Sequence, residues 1–394
     1  MKKKIIFISI TVLLLAAIVY SADYLALFKS PVTSSSDPVQ HPRLADDSGM
    51  HPAKYELTSV AEGLYVPWSI VFTSPERLLV SERNGAIRII EKGALLEEPL
   101  IRFPEVSHSG EEGLMGLALD PDYLSTKRVF ACLAYSHNGV HDKVISFTDS
   151  GNAVTDIVTL IDGIPAADNH AGCRLFFMPD KTLLITTGDA TNRQQAQDKD
   201  SLGGKILRIN RDGSIPKDNP FGTAVWTIGH RNPQGLALDT VHSVLWETEH
   251  GPSVFDGPAG GDEVNLIEAG KNYGWPIIDH KENKAGLESP HLEFTPAVAP
   301  ASLLFYTGAV LPQFTNSLLF GALKGEGLFH LTIDLKNPER ISAFEKLADI
   351  SVGRIRDVIQ GPDGAIYFTT SNRDGRGTVR SGDDKIYRLA PSTD

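Results

Sequence analysis

From Tyr55 onward the chain repeats one kind of unit: a short apolar strand, a turn of Pro, Asp or Gly, a second strand, a long loop and a third strand. The first unit runs through 68–72, 77–82 and 86–90, and Asn84-Gly85 joins its last two strands. Asn-Gly between apolar strands is a strong hairpin signal, because both turn residues take positive φ. The pattern returns at 114–119, 129–133 and 143–147, then at 173–177, 182–186 and 204–208. It recurs at 234–238, 244–247 and 262–266, at 302–306, 317–320 and 327–331, and at 355–359, 365–369 and 384–388. Six units spaced by roughly 45–70 residues, with no ordinary amphipathic helix between them, predict an all-β chain folded as a six-bladed β-propeller. A β-sandwich uses similar strands but does not account for the sixfold recurrence. Residues 55–60 are placed to supply the strand that closes the last blade.

Composition removes several functions. A net charge of -12, from 37 Lys+Arg against 49 Asp+Glu, leaves no cationic footprint for nucleic acid. With 41% hydrophobic and 22% charged residues the chain is globular rather than disordered. Two cysteines make neither a disulfide scaffold nor a four-cysteine metal site. Cys132 and Cys173 lie on strands of consecutive units and read equally as two buried thiols or as one disulfide. No G-x-S-x-G elbow, P-loop or clean Rossmann fingerprint is present.

Residues 1–22 join a Lys-rich start, Lys2 to Lys4, to an uncharged apolar run from Ile5 to Tyr20. That is the pattern of a signal peptide or of an N-terminal membrane anchor. Either delivers the rest of the chain outside the cytoplasm, to the periplasm or beyond. Residues 23–54, rich in Ser, Pro, Asp and His, read as a flexible linker, and 55–394 as the propeller domain.

A propeller gathers its functional residues in loops at one end of its central channel. The loop motifs here appear in a fixed order: Asp168-Asn169-His170-Ala171-Gly172-Cys173-Arg174, Gly229-His230-Arg231-Asn232-Pro233-Gln234-Gly235, Glu249-His250-Gly251-Pro252, Gly261-Asp262-Glu263-Val264-Asn265 and Asn272-Tyr273-Gly274-Trp275-Pro276. Leu323-Lys324-Gly325 and Gly353-Arg354-Ile355-Arg356-Asp357 follow. This ordered set resembles the soluble quinoprotein sugar dehydrogenases, the glucose/sorbosone dehydrogenase family that uses pyrroloquinoline quinone. The resemblance covers about residues 60–390, and the fold it implies is the six-bladed propeller already read from the repeats.

The resemblance implies roles. His170 becomes the base that takes the anomeric hydroxyl proton, work that suits an imidazole titrating near neutrality. Arg231 and Asn232 become contacts of the quinone, with Arg231 near its reacting carbonyl. Lys324, Arg354 and Arg356 become ligands of its carboxylates. Arg354 and Arg356, two apart on a strand, share one face, where paired cations call for an anion. The carbonyls of Gly251 and Pro252 become calcium ligands, with Glu263 and the backbone of Tyr273 at a second calcium and Asp262 as a neighbouring ligand. Three positions depart from the family pattern. Cys173 stands where Gly is usual, and Glu111 where Gln is frequent near substrate and cofactor. An insertion at 253–259 lengthens the rim after Gly251-Pro252.

The expectation is therefore an oxidoreductase that oxidises an aldose at C1 to the lactone, using pyrroloquinoline quinone and Ca²⁺. Its electrons would pass to a periplasmic acceptor, and it would be a monomer or homodimer, with the N-terminus as a membrane tether if it is retained. Two alternatives remain at this level: a metal-dependent propeller lactonase, and a non-catalytic propeller binding module.

Overall fold

A computed structural model describes residues 54–392 together with the short strand Arg43–Leu44. The predicted leader at 1–22 lies outside the described residues, as does the rest of the predicted linker apart from Arg43–Leu44 and Lys54. The propeller is built from six antiparallel sheets. The first strand of each sheet lies innermost, at Pro67–Ser74, Leu114–Leu119, Leu175–Phe177, Pro233–Asp239, Pro300–Tyr306 and Ile355–Gln360. The hairpin at Asn84-Gly85 forms, but its loop is the three residues Arg83, Asn84 and Gly85, and of the two expected at positive φ only Gly85 is, at 94°.

Blades one to five each have outer strands that the sequence pattern did not mark, including Val154–Pro165, Val225–Ile228 and Asn337–Lys346. Val154–Pro165 and Asn337–Lys346 face solvent on one side, and the first is exposed along most of its length, whereas Val225–Ile228 is buried but only four residues long. The two exposed strands therefore lack the continuous apolar run by which buried strands are recognised. Tyr55–Ala61 pairs antiparallel with Ile386–Pro391 and so closes the sixth blade with the N-terminal strand, as predicted. Within the segment read as a linker, Arg43–Leu44 adds a parallel edge to the fifth blade, Arg43 opposite Ala343.

The core is a ring of separate layers. Leu79, Leu114 and Phe147 pack between blades one and two, and Phe130, Ile185 and Leu207 between two and three. Leu184, Trp226 and Leu236 fill the next interface, then Trp246, Phe305 and Phe320, then Tyr306, Leu319 and Phe368. Ile70, Val80 and Tyr367 complete the ring between blades six and one. Each blade thus buries both faces against neighbours, and the closing strand lets the last layer form.

Cys132 and Cys173 form a disulfide between the second strand of blade two and the segment leading into blade three. It closes a loop with a sequence separation of 41. Replacing both cysteines with Ser should lower the unfolding free energy by about 2–4 kcal/mol through the lost constraint on the unfolded chain. Denaturant unfolding of the two proteins measures this, and equal midpoints would show that the bridge is not a stabilising link.

Candidate active site

His170 sits on the loop ahead of blade three's inner strand, in a left-handed conformation at φ 58° that costs a residue with a side chain about 1 kcal/mol. Two contacts hold it there. Its backbone N–H donates to Glu111 Oε2 at 3.0 Å, and its ring Nδ1 lies 2.7 Å from Asp189 Oδ1. Gly188 makes the approach feasible, because a Cβ at that position would collide with the His170 carbonyl. Asp189 is buried, and its Oδ2 accepts the Trp275 indole N–H at 2.8 Å. A carboxylate in that setting requires a donor, so Nδ1 carries the proton and Nε2 is the acceptor nitrogen of a half-buried ring lining the cavity. Lys205, fully buried, ties down the loop that follows Asp189 by donating to the carbonyls of Gln195, Ala196 and Gly203. Burial draws its pKa down to about 7.

The cavity beside His170 has a volume of about 670 Å³. Glu111, His250, Ala299, Lys324 and Arg376 also line a second lobe of about 470 Å³. That lobe holds Arg83, Lys324, Arg354, Arg356 and Arg376 against only two carboxylates, Glu111 and Asp374. Arg354 is taken up by Asp374, at 2.8 Å and 2.7 Å, and by the Leu323 carbonyl. Arg356 donates to Gln234 Oε1 at 3.1 Å, but its Nε is buried with no partner. Burial lowers its pKa to about 10, so it stays cationic at neutral pH. The ammonium of exposed Lys324 makes no hydrogen bond or ion pair among the described residues. Surplus cations and an orphaned guanidinium N–H fit a polyanionic ligand such as a tricarboxylate.

Arg231 is buried, lies over Trp275 at 5.5 Å and donates to the His250 carbonyl at 3.2 Å. The Asn232 amide oxygen accepts from Gly172 N–H at 3.2 Å and Gln234 Nε2 at 2.9 Å, which ties the His170 loop to blade four. His250 Nε2 donates to the Pro300 carbonyl at 3.0 Å, and burial pulls its pKa down to about 3, so the ring is neutral. Glu111 pairs with Arg376 at 2.5 Å. Burial alone would raise this carboxyl, yet the charge and hydrogen bond of the Arg376 guanidinium hold it down to about 2.

Of the predicted metal ligands, Asp262 accepts backbone N–H groups from Gly251, Val298 and Ala299, at 2.9, 2.7 and 2.6 Å. It therefore shapes the turn that carries Gly251 and Pro252. Glu263 shares the Asn265 amide with Glu247, both at 3.0 Å. His230, Glu247 and Glu249 bring ligand atoms within 4.8 Å of one another, and the His230 ring stacks on Tyr273. Burial and repulsion from Glu249 push the Glu247 and Glu263 carboxyls well above the usual range, and Glu247 Oε1 has no partner. Crowded carboxylates with an orphaned oxygen fit a hard cation.

Of the residues the sequence singles out, His170, Arg231, Asn232, Glu111, Lys324, Arg354, Arg356, Gly251, Pro252 and Asp262 line the two lobes or bond to residues that do, whereas Glu263 and Tyr273 line neither. The sequence reading did not single out Asp189, Trp275, His250, Arg83, Arg376, Glu247 or Glu249. Trp275, His250 and Glu249 stood inside the quoted motifs. Arg83 and Arg376 are brought in from other blades, Asp189 follows the second strand of the blade His170 leads into, and Glu247 stands two residues before Glu249 on one strand.

Propeller and site together define an enzyme that holds a His–Asp pair beside a cationic cradle. The model of the Glucose / Sorbosone dehydrogenase family matches residues 64–381. An aldose sugar dehydrogenase of Escherichia coli is 32% identical over 82% of this chain and 92% of that protein. Quinoprotein glucose dehydrogenase B of Acinetobacter calcoaceticus is 25% identical over 84% and 88%. Among solved structures, the PQQ-bound form of an aldose sugar dehydrogenase from Streptomyces coelicolor superposes with a TM-score of 0.75 at 33% identity. That likeness covers 86% of this chain and 99% of the other. The chain belongs to the glucose/sorbosone dehydrogenase family and is accordingly an oxidoreductase.

The Glu111–Arg376 pair carries a signed pH prediction. The folded-state pKa is depressed from 4.5 to about 2, so the pair's contribution is complete above pH 4.5 and is lost as pH falls toward 2. Arg376→Ala should therefore lose less stability than the wild type between pH 6 and 3, modestly so because the guanidinium is exposed. Urea midpoints across that range test it, and parallel curves would mean that the pair does not set the Glu111 pKa.

Proposed function

We propose that the protein oxidises an aldose at C1 to the lactone, with His170 as general base, pyrroloquinoline quinone as electron acceptor and Ca²⁺ as an auxiliary ion. The observation that carries this reading is a single cavity in which the free nitrogen of an Asp-oriented histidine adjoins unneutralised Arg and Lys side chains. When bound, the quinone supplies the two-electron acceptor for the hydride that leaves C1.

The chain's residues do the rest. His170 Nε2 accepts the anomeric hydroxyl proton, while Asp189 holds Nδ1–H and stabilises the imidazolium. Lys324, Arg354, Arg356 and Arg83 would hold the carboxylates, with Arg231 and Asn232 at the quinone end. Glu111, kept anionic by Arg376, fixes the His170 backbone and offers an acceptor to a sugar hydroxyl. The Gly251 and Pro252 carbonyls would hold one calcium as a Lewis acid, and Glu263, Glu247 and the Tyr273 carbonyl a second.

We place this catalytic domain at 55–394, behind a leader or anchor at 1–22 and a linker at 23–54. The Cys132–Cys173 disulfide supports an oxidising compartment such as the periplasm, where a separate acceptor would collect the electrons. Among the described residues no helix is long and apolar enough to cross a membrane.

Adding quinone and Ca²⁺ to the purified protein should change its absorbance and enable dye reduction by one or more aldoses. His170→Ala should lower kcat by about 10²–10⁴-fold while leaving quinone affinity within about threefold. Asp189→Asn should produce a comparable fall in kcat through the wrong tautomer. No absorbance change and no dye reduction with any sugar would refute the reading, and lactone hydrolysis in their place would favour the metal-dependent hydrolase.

A further inference from the structure

The insertion at 253–259 brings one carboxylate into the site, and that carboxylate is committed on both sides. Asp256 Oδ1 accepts the backbone N–H and hydroxyl of Ser253, at 2.7 and 2.9 Å, which folds the insertion on itself. Its Oδ2 accepts Arg231 Nε at 2.9 Å and Nη2 at 2.8 Å. The Asp256 carbonyl receives Arg193 Nη1 at 3.2 Å, which anchors the same turn to blade three.

A guanidinium has five N–H groups in a planar fork. On Arg231, Asp256 takes Nε and one hydrogen of Nη2, and the His250 carbonyl takes one hydrogen of Nη1. Two remain, the Nη2 hydrogen on the terminal edge and one hydrogen of Nη1. With the side edge closed and the plane resting on Trp275, Arg231 has one orientation left. Trp275 also donates to Asp189, the partner of His170, so the insertion is coupled to the base through three side chains.

We infer that Asp256 is a positioning residue for sugar oxidation. By occupying the side edge of Arg231 it presents the terminal Nη1/Nη2 edge to the cavity, toward the reacting oxygen of the acceptor. This rests on the dehydrogenase reading above. Charge and geometry act in opposite senses here. A carboxylate near a polyanionic ligand opposes its binding, while a fixed guanidinium edge favours charge development on the reacting oxygen. The two effects are therefore separable by experiment.

In quinone-loaded protein, Asp256→Ala should lower kcat by about tenfold with KM for the aldose within about threefold. Quinone affinity, titrated by absorbance, should be unchanged or tighter. Asp256→Glu, which restores the carboxylate, should recover most of kcat. A general loosening of the fold would instead weaken quinone binding and turnover together, and that outcome, or an unchanged kcat, would overturn the inference. The pair is also read without quinone, through urea midpoints of Asp256→Ala, Arg231→Met and the double variant. Non-additive midpoints support the pair and additive ones overturn it. A wild type that binds no quinone would refute the dehydrogenase reading, and the quinone-free cycle keeps that failure distinct from failure of the pair.

Discussion

Arg174 and Asp357, 183 residues apart in sequence, meet at 2.9 Å in the buried centre of the ring. Arg174 comes from blade three and Asp357 from blade six, so the pair spans the channel rather than a neighbouring interface. Neither charge could be buried alone, since removing one partner from such a pair typically costs about 3–5 kcal/mol. Each has further bonds: Arg174 donates to the Gln234 carbonyl at 3.1 Å and lies over Trp68 at 4.3 Å, and Asp357 accepts Ile70 N–H at 2.8 Å. Blades one, three, four and six are thereby fixed relative to one another directly beneath the cavity.

The site stands on that polar floor. Arg356 is the residue before Asp357, shares the Trp68 ring at 5.8 Å and leans on the Gln234 side chain. Gln234 in turn holds Asn232, which holds the Gly172 N–H and hence the loop of His170. Groups from four blades are positioned by a network in which every buried polar group depends on another. That dependence explains how a loop bearing a left-handed histidine keeps one geometry.

The parts of this architecture legible in sequence were those governed by local rules. Inner and middle strands showed through their apolar runs and turn residues, and the closing strand at 55–61 followed from the count of units. Outer strands such as Val154–Pro165 were hidden because exposure on one face dilutes their hydrophobic signal. Arg354 and Arg356 were legible because period two places them together. Asp189 was not: its meaning depends on His170 lying 2.7 Å away and on Trp275 from another blade. Glu111 looked out of place beside an anionic ligand until Arg376, 265 residues away, was seen against it.

Charge pairing decides what the cavity can accept. An acidic chain with a net charge of -12 concentrates cations in one lobe and its neighbour, and three of them are already answered. Arg376 is matched by Glu111, Arg354 by Asp374 and Arg231 by Asp256. The lobe's remaining demand comes from Lys324, from Arg83 with its orphaned Nε, and from Arg356 with its own. These three, and the open edges of the paired guanidiniums, suit a ligand with several dispersed carboxylates better than one compact anion, which a single fork would saturate. Asp374 and Asp256 cannot leave without stranding the buried guanidiniums of Arg354 and Arg231, so they act as fixed spacers that set where those cations point. Specificity for the ligand then lies in the arrangement of those edges rather than in net charge, consistent with a cradle assembled from separate segments of the ring.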